Sequence, residues 1–107
     1  MTKTLTSQVL ELTSLVDYQE GTIVSKMLIN KSTGSVTVFA FDKDQELSEH
    51  TAPFDAMVQV IEGSATITIS GKSYTVSTGN ILIMPAHKPH AVQASTPFKM
   101  MLVMIKS

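Results

Sequence analysis

Three histidines, His50, His87 and His90, are the side chains of this sequence best able to hold a metal, move a proton or grip a polar ligand near neutral pH. The chain has no cysteine, so neither a thiol nucleophile nor a disulfide framework is available. No Ser-His-Asp order, glycine-rich phosphate loop or nucleotide fingerprint is present. The chemistry therefore narrows to imidazole. His50 lies in S-E-H-T-A-P-F-D-A-M-V-Q-V-I-E-G, Ser48 to Gly63, and His90 ends G-N-I-L-I-M-P-A-H-K-P-H, Gly79 to His90. Each stretch reads as a strand with a histidine at or near one end and Gly or Pro at its turns. In an antiparallel barrel the two rings meet in one cavity. There they could hold a divalent transition metal (Zn, Fe, Mn or Ni) or a small organic ligand directly.

The elements that must position these rings are short strands. From Thr22 the apolar period is two, and Asn30 to Gly34 reads as a turn. Ser35 to Asp42, S-V-T-V-F-A-F-D, is rich in β-branched and aromatic residues and apolar on both faces, as in a strand covered on two sides. Glu46 to His50 follows, and Pro53, which cannot donate to a ladder, forces a break. Ala56 to Ile61 is strand, with a turn at Glu62-Gly63. Ala65, Ile67 and Ile69 then alternate with hydroxyl residues up to a hairpin at Ser70-Gly71-Lys72, and Tyr74 and Val76 continue the pattern. Ile81 to Met84 is apolar throughout and is expected to be buried on both sides. His90 to Gln93 and Phe98 to Ile105 complete the set. Residues 1–20 are expected to form a short strand or an extended arm. Eight or more short strands at near-regular spacing, without an amphipathic helix, predict an all-β sandwich or barrel.

The bulk numbers agree with one small domain over 1–107. The net charge is −1 and the pI about 6.3, which gives no reason to expect nucleic acid or an anionic membrane as partner. The N-terminus lacks the apolar core of a signal peptide, and no apolar run reaches membrane-spanning length. A soluble cytoplasmic protein is the expectation. Seven methionines and no tryptophan point to a pliable core, dimer contact or cavity wall. The apolar strands Ile81–Met84 and Phe98–Ile105 need cover, which a homodimer would supply.

Residues 45–106 resemble a small single-domain cupin of the conserved-barrel type. The resemblance implies a double-stranded β-helix, the jelly-roll barrel, with a metal or ligand site inside it. The family's second motif, G-x5-P-x-G-x2-H-x3-N, is met by Gly79, Pro85 and His90, with His87 at the glycine position and Ala94 at the asparagine. Histidine is among the few residues other than glycine that accept positive φ, so His87 is expected to be turn geometry rather than a ligand. The first motif, G-x5-H-x-H-x3,4-E-x6-G, is met in frame by His50 and Gly63. Ala52 and Ala56, however, stand where the second histidine and the carboxylate belong. The resemblance thus implies half of a metal site, made by His50 and His90. Asp55 could substitute for the carboxylate only if a bulge after Pro53 turned it inward. Gln59 falls on the wrong face. Ala52 and Ala56 also leave space, so a ligand pocket lined by His50, His90, Ala52 and Ala56 is the favoured expectation. The alternative is a metal-dependent enzyme of dioxygenase, isomerase or lyase type with a two-histidine site.

Overall fold

The structure is a computed structural model that describes residues 5–106; residues 1–4 of the expected N-terminal arm and residue 107 lie outside the described residues. Among the described residues nine strands form, in order β1 (Ile23–Lys31), β2 (Gly34–Phe41), β3 (Glu46–His50), β4 (Asp55–Glu62), β5 (Ser64–Ile69), β6 (Lys72–Ser77), β7 (Ile81–Met84), β8 (His90–Gln93) and β9 (Phe98–Ile105). They make two antiparallel sheets, one ordered β1-β2-β9-β4-β7 and the other β3-β8-β5-β6. Most turns fall where glycine or a polar cluster interrupts the alternation. Gly63, Gly71 and Gly79 all adopt positive φ.

Alternation decides what fills the barrel. On β4, Ala56, Val58 and Val60 point inward. They meet Phe98 and Met100 of β9, Phe41 of β2, and Ala65, Ile67, Val76 and Val92 from the opposite sheet. Phe41 and Phe98 are direct cross-strand partners with stacked rings, centroids 4.5 Å apart. Both are fully buried and plug the end of the barrel remote from His50 and His90.

A second apolar cluster sits on the outer face of the five-stranded sheet. Residues 5–20 contain no strand, only a 3-10 turn at Leu12–Ser14. This segment lays Leu12, Leu15, Val16 and Tyr18 over Val38 and Ala40 of β2 and Met101 of β9. That cover buries Val38 and Ala40 on the outer side of β2, while Phe41 enters the core on the other, so the second half of this strand is covered on both faces as its sequence implies. β1 is an edge strand with most of its residues exposed. One expectation needs correction. Ile81 and Ile83 of β7 are not buried on both sides but are 55% and 60% exposed, because β7 is also an edge strand and the N-terminal segment does not cover them. Continuous hydrophobicity there marks an open face rather than a doubly covered one.

Candidate site at the barrel mouth

His50 closes β3 and His90 opens β8, and the two are direct cross-strand partners. Such partners share a face, and their rings lie edge to face with centroids 4.3 Å apart. The face is the inner one. Val92, two residues beyond His90 on the same strand, lies in the barrel core, and its partner Leu47 packs against that core. Leu47 and His50 are three residues apart, so simple alternation would send them to opposite faces. A register shift between them turns both inward. His90 is buried at 7% exposure, whereas His50 stays exposed, so the pair stands at the opening with one ring toward solvent.

The loops that frame the pair are tied together. The His87 N–H donates to the Ala52 carbonyl at 2.8 Å, and the Ala86 N–H donates to Asp55 Oδ1 at 2.8 Å. From the β5 side, the Ser70 N–H donates to the Pro89 carbonyl at 2.8 Å. His87 has φ 65°, the left-handed conformation its position in the motif implies, so it shapes the turn that delivers His90. Asp55 faces outward, since its neighbour Ala56 lies in the core, and its carboxylate is engaged by the Ala86 amide. Ala56 is buried against Met84 of β7 and Met104 of β9, its partners across both ladders.

Both imidazoles use one nitrogen in the same way. His50 Nδ1 lies 2.8 Å from the Ser48 carbonyl, and His90 Nδ1 lies 3.2 Å from the Lys88 carbonyl, each two residues back in the chain. A carbonyl oxygen only accepts, so each Nδ1 must carry its proton. In the neutral ring that leaves Nε2 as an acceptor.

Burial pushes the His90 imidazole below the ordinary histidine value of 6.5; the Lys88 carbonyl works against that shift, and a charge on His50 adds to it. The unfolded chain therefore binds this proton more readily than the folded one. The resulting stability is complete above the ordinary value and is lost as pH falls toward the lower folded value. In chelator-treated protein, stability measured by urea unfolding is expected to fall from about pH 7 toward pH 5, and His90→Gln is expected to flatten that part of the curve. An unchanged curve in His90→Gln would mean that His90 titrates alike in the folded and unfolded states.

The donor set can be tested against the metal that the fold implies. A catalytic zinc or non-haem iron centre usually takes three protein ligands. Here two imidazoles face each other, alanines occupy the remaining ligand positions, and Asp55 is turned away. Among the described residues no group of three or more His, Cys, Asp or Glu is placed to hold a metal ion. The residues present do not fit a complete metal centre.

Sequence reasoning missed one polar cluster, which lies outside the mouth. Glu62, at the end of β4, accepts a hydrogen bond from the Tyr18 hydroxyl. Lys99, buried on the outer face of β9, donates to the Thr13 carbonyl at 2.6 Å, lies 4.0 Å from Glu62 and sits 5.0 Å from the centre of the Tyr18 ring. Burial and the Glu62 carboxylate both push the Tyr18 hydroxyl well above its ordinary pKa. The cluster anchors the N-terminal segment. A lysine within the alternation of β9 was the only available signal, and it reads as solvent-facing until the segment that covers it is known.

No curated protein matches the chain. Solved structures do. A conserved protein of unknown function from Streptococcus pyogenes, SPY1581, is 40% identical with a TM-score of 0.90, over 94% of this chain and 89% of that one. A cupin 2 conserved barrel domain protein from Leptotrichia buccalis is 41% identical with a TM-score of 0.86; the alignment covers 89% of this chain but only 46% of that protein. A cupin superfamily protein from Desulfitobacterium hafniense is 24% identical with a TM-score of 0.91 over 99% and 97% of the two chains, a likeness of fold. The family model described as the cupin domain matches residues 37–106 and so takes in both histidines of the mouth. With that match over well over half its length, and with two antiparallel sheets closing the barrel around Phe41, Val58 and Phe98, the chain belongs to the cupin family.

Proposed function

We propose that this cupin barrel binds a small, neutral, hydroxyl-bearing organic molecule at the mouth between His50 and His90, without a metal. The observation that carries the reading is the shared commitment of both Nδ1 atoms to backbone carbonyls. Two neutral imidazoles so arranged offer two Nε2 acceptors, and the complementary ligand is a hydrogen-bond donor such as a polyol or a sugar. A carboxylate would need the rings protonated, and burial of His90 opposes that. Small side chains at Ala52 and Ala56 and the apolar wall of Met84 and Ile69 suit the carbon skeleton of such a molecule. The loss of the carboxylate position also removes the general base that cupin-type enzymatic chemistry would ask for, which favours binding over catalysis.

Thermal unfolding in the presence of a chelator tests this, with a panel of free monosaccharides and polyols beside a panel of small carboxylates, all at millimolar concentration and at pH 8. A binder present at about ten times its Kd stabilises by about 1.4 kcal/mol. At least one hydroxylated compound is expected to raise Tm in the native protein and to lose that effect in His50→Ala and His90→Ala. Protection that survives both substitutions, or that comes only from carboxylates, refutes the reading.

A further inference from the structure

Of the four phenylalanines, Phe39, Phe41 and Phe98 pack in the barrel core. Phe54 does not. It is half-buried and belongs to neither apolar cluster of the described residues. Its ring is nevertheless held, with the Lys106 ammonium 5.8 Å from its centre. An aromatic ring gains most from full burial, so one kept at a rim and fixed by a cation is poised for a partner from outside the chain. Register says where it stands. Asp55 and Ile105 are cross-strand partners, and so are Ala56 and Met104, which face inward. One pair further out on the same antiparallel ladder sets Phe54 opposite Lys106, and alternation returns both to the inward side. Phe54 thus stands one inward step beyond Ala56, over the rim of the barrel. The chain on either side of it is tied to the turn that delivers His90. The Ala52 carbonyl accepts from the His87 N–H, and Asp55 Oδ1 accepts from the Ala86 N–H, both at 2.8 Å. His50, at the end of β3, leads directly into this loop. The ring and the two imidazoles therefore belong to one mouth.

We propose that Phe54 is the stacking platform of the mouth and selects a cyclic polyol, such as a pyranose sugar or a cyclitol, over an open-chain one. The inference rests on the reading above that the mouth binds a neutral hydroxylated molecule. Such a ring carries hydroxyls around its edge and C–H bonds on its faces. The Nε2 acceptors of His50 and His90 match the edge. The electron-rich face of a phenylalanine matches the C–H face. Lys106 holds the Phe54 ring before any ligand arrives, so less ordering remains to be done on binding. An open-chain polyol has no flat C–H face to lay on the ring, and it loses more internal rotation when bound.

The chain has no tryptophan, so Phe54→Trp introduces a single indole whose emission reports this position alone. Sugars are compared with their own alditols in the same chelator-containing buffer: D-glucose with sorbitol, D-mannose with mannitol and D-galactose with galactitol. At least one sugar is expected to shift the indole emission of Phe54→Trp to saturation and to bind the native protein about tenfold more tightly than its alditol. Phe54→Ala is expected to bind that sugar about tenfold more weakly, with the far-UV circular dichroism unchanged. Phe54→Leu, which loses the ring but little volume, gives the same readout if Phe54→Ala fails to fold. Three results overturn the platform while leaving binding at the histidines in place, each in a protein whose thermal protection still depends on His50 and His90. They are an indole emission that does not move, native affinity in both Phe54→Ala and Phe54→Leu, and an alditol that binds as tightly as its sugar. Protection by none of these compounds overturns the platform and the binding reading together.

Discussion

Replacing Phe98 with alanine is expected to destabilise the barrel by about 3–5 kcal/mol. Phe98 opens β9, is fully buried and stacks on Phe41, its cross-strand partner, with an angle of 18° between the rings. Removing the ring forfeits its transfer free energy and leaves a cavity between two packed sheets. It also removes an aromatic pair worth about 0.5–1.5 kcal/mol beyond area burial. A domain of this size has about 5–15 kcal/mol in hand, so the variant is expected to unfold at a markedly lower urea midpoint with an unchanged slope. The test is discriminating because the mouth lies at the other end of the barrel, so any ligand binding at His50 and His90 should survive at low temperature. A loss below about 1 kcal/mol would mean that this end of the core is not packed as described.

The second large effect is expected at Gly63, where the backbone admits no side chain. Its φ is +83°, and a Cβ there would lie 2.7 Å from the Pro97 carbonyl oxygen and 3.1 Å from Phe98 Cβ. Gly71 has almost the same φ, +84°, but a Cβ there would meet nothing within 4 Å. Gly71→Ala is therefore expected to cost about 1–2 kcal/mol, the strain of a left-handed residue alone. Gly63→Ala carries that strain and must also displace the Pro97–Phe98 backbone, for a total of about 3 kcal/mol or more. The difference between the two, read from denaturant midpoints, isolates the steric part. Equal losses would show that the chain at Pro97 gives way freely. This contact also supplies a physical reason for the glycine that closes the first cupin motif. It lets the β4–β5 turn press against the start of β9, which carries the core phenylalanine.

Much of this architecture was legible in the chain. The alternation of Ala65, Ile67 and Ile69, the Gly71 hairpin and the break at Pro53 are local signals, and each strand they predicted is present within a residue or two. The spacing from Gly79 to His90, and that from His50 to Gly63, singled out two histidines that β3 and β8 bring side by side, and positive φ at His87 followed from its place in the motif. Legibility failed where burial depends on what covers a face. Ile81 and Ile83 have the composition of a doubly covered strand, yet they stand open because β7 lies at a sheet edge. Lys99 looks like a surface charge, yet it is buried and bonded to Thr13 beside Tyr18 and Glu62 because residues 12–18 fold across it.

Strand period, turn chemistry and motif spacing are properties of neighbours along the chain, and so the residues alone indicated the all-β class, the approximate bounds of the strands and the candidate pair of imidazoles. The shift that turns His50 inward and the division of the outer face into a covered half and a bare half depend on partners dozens of residues away. Only cross-strand register brings those partners together, and register is settled by the packing of the whole barrel rather than by any one segment.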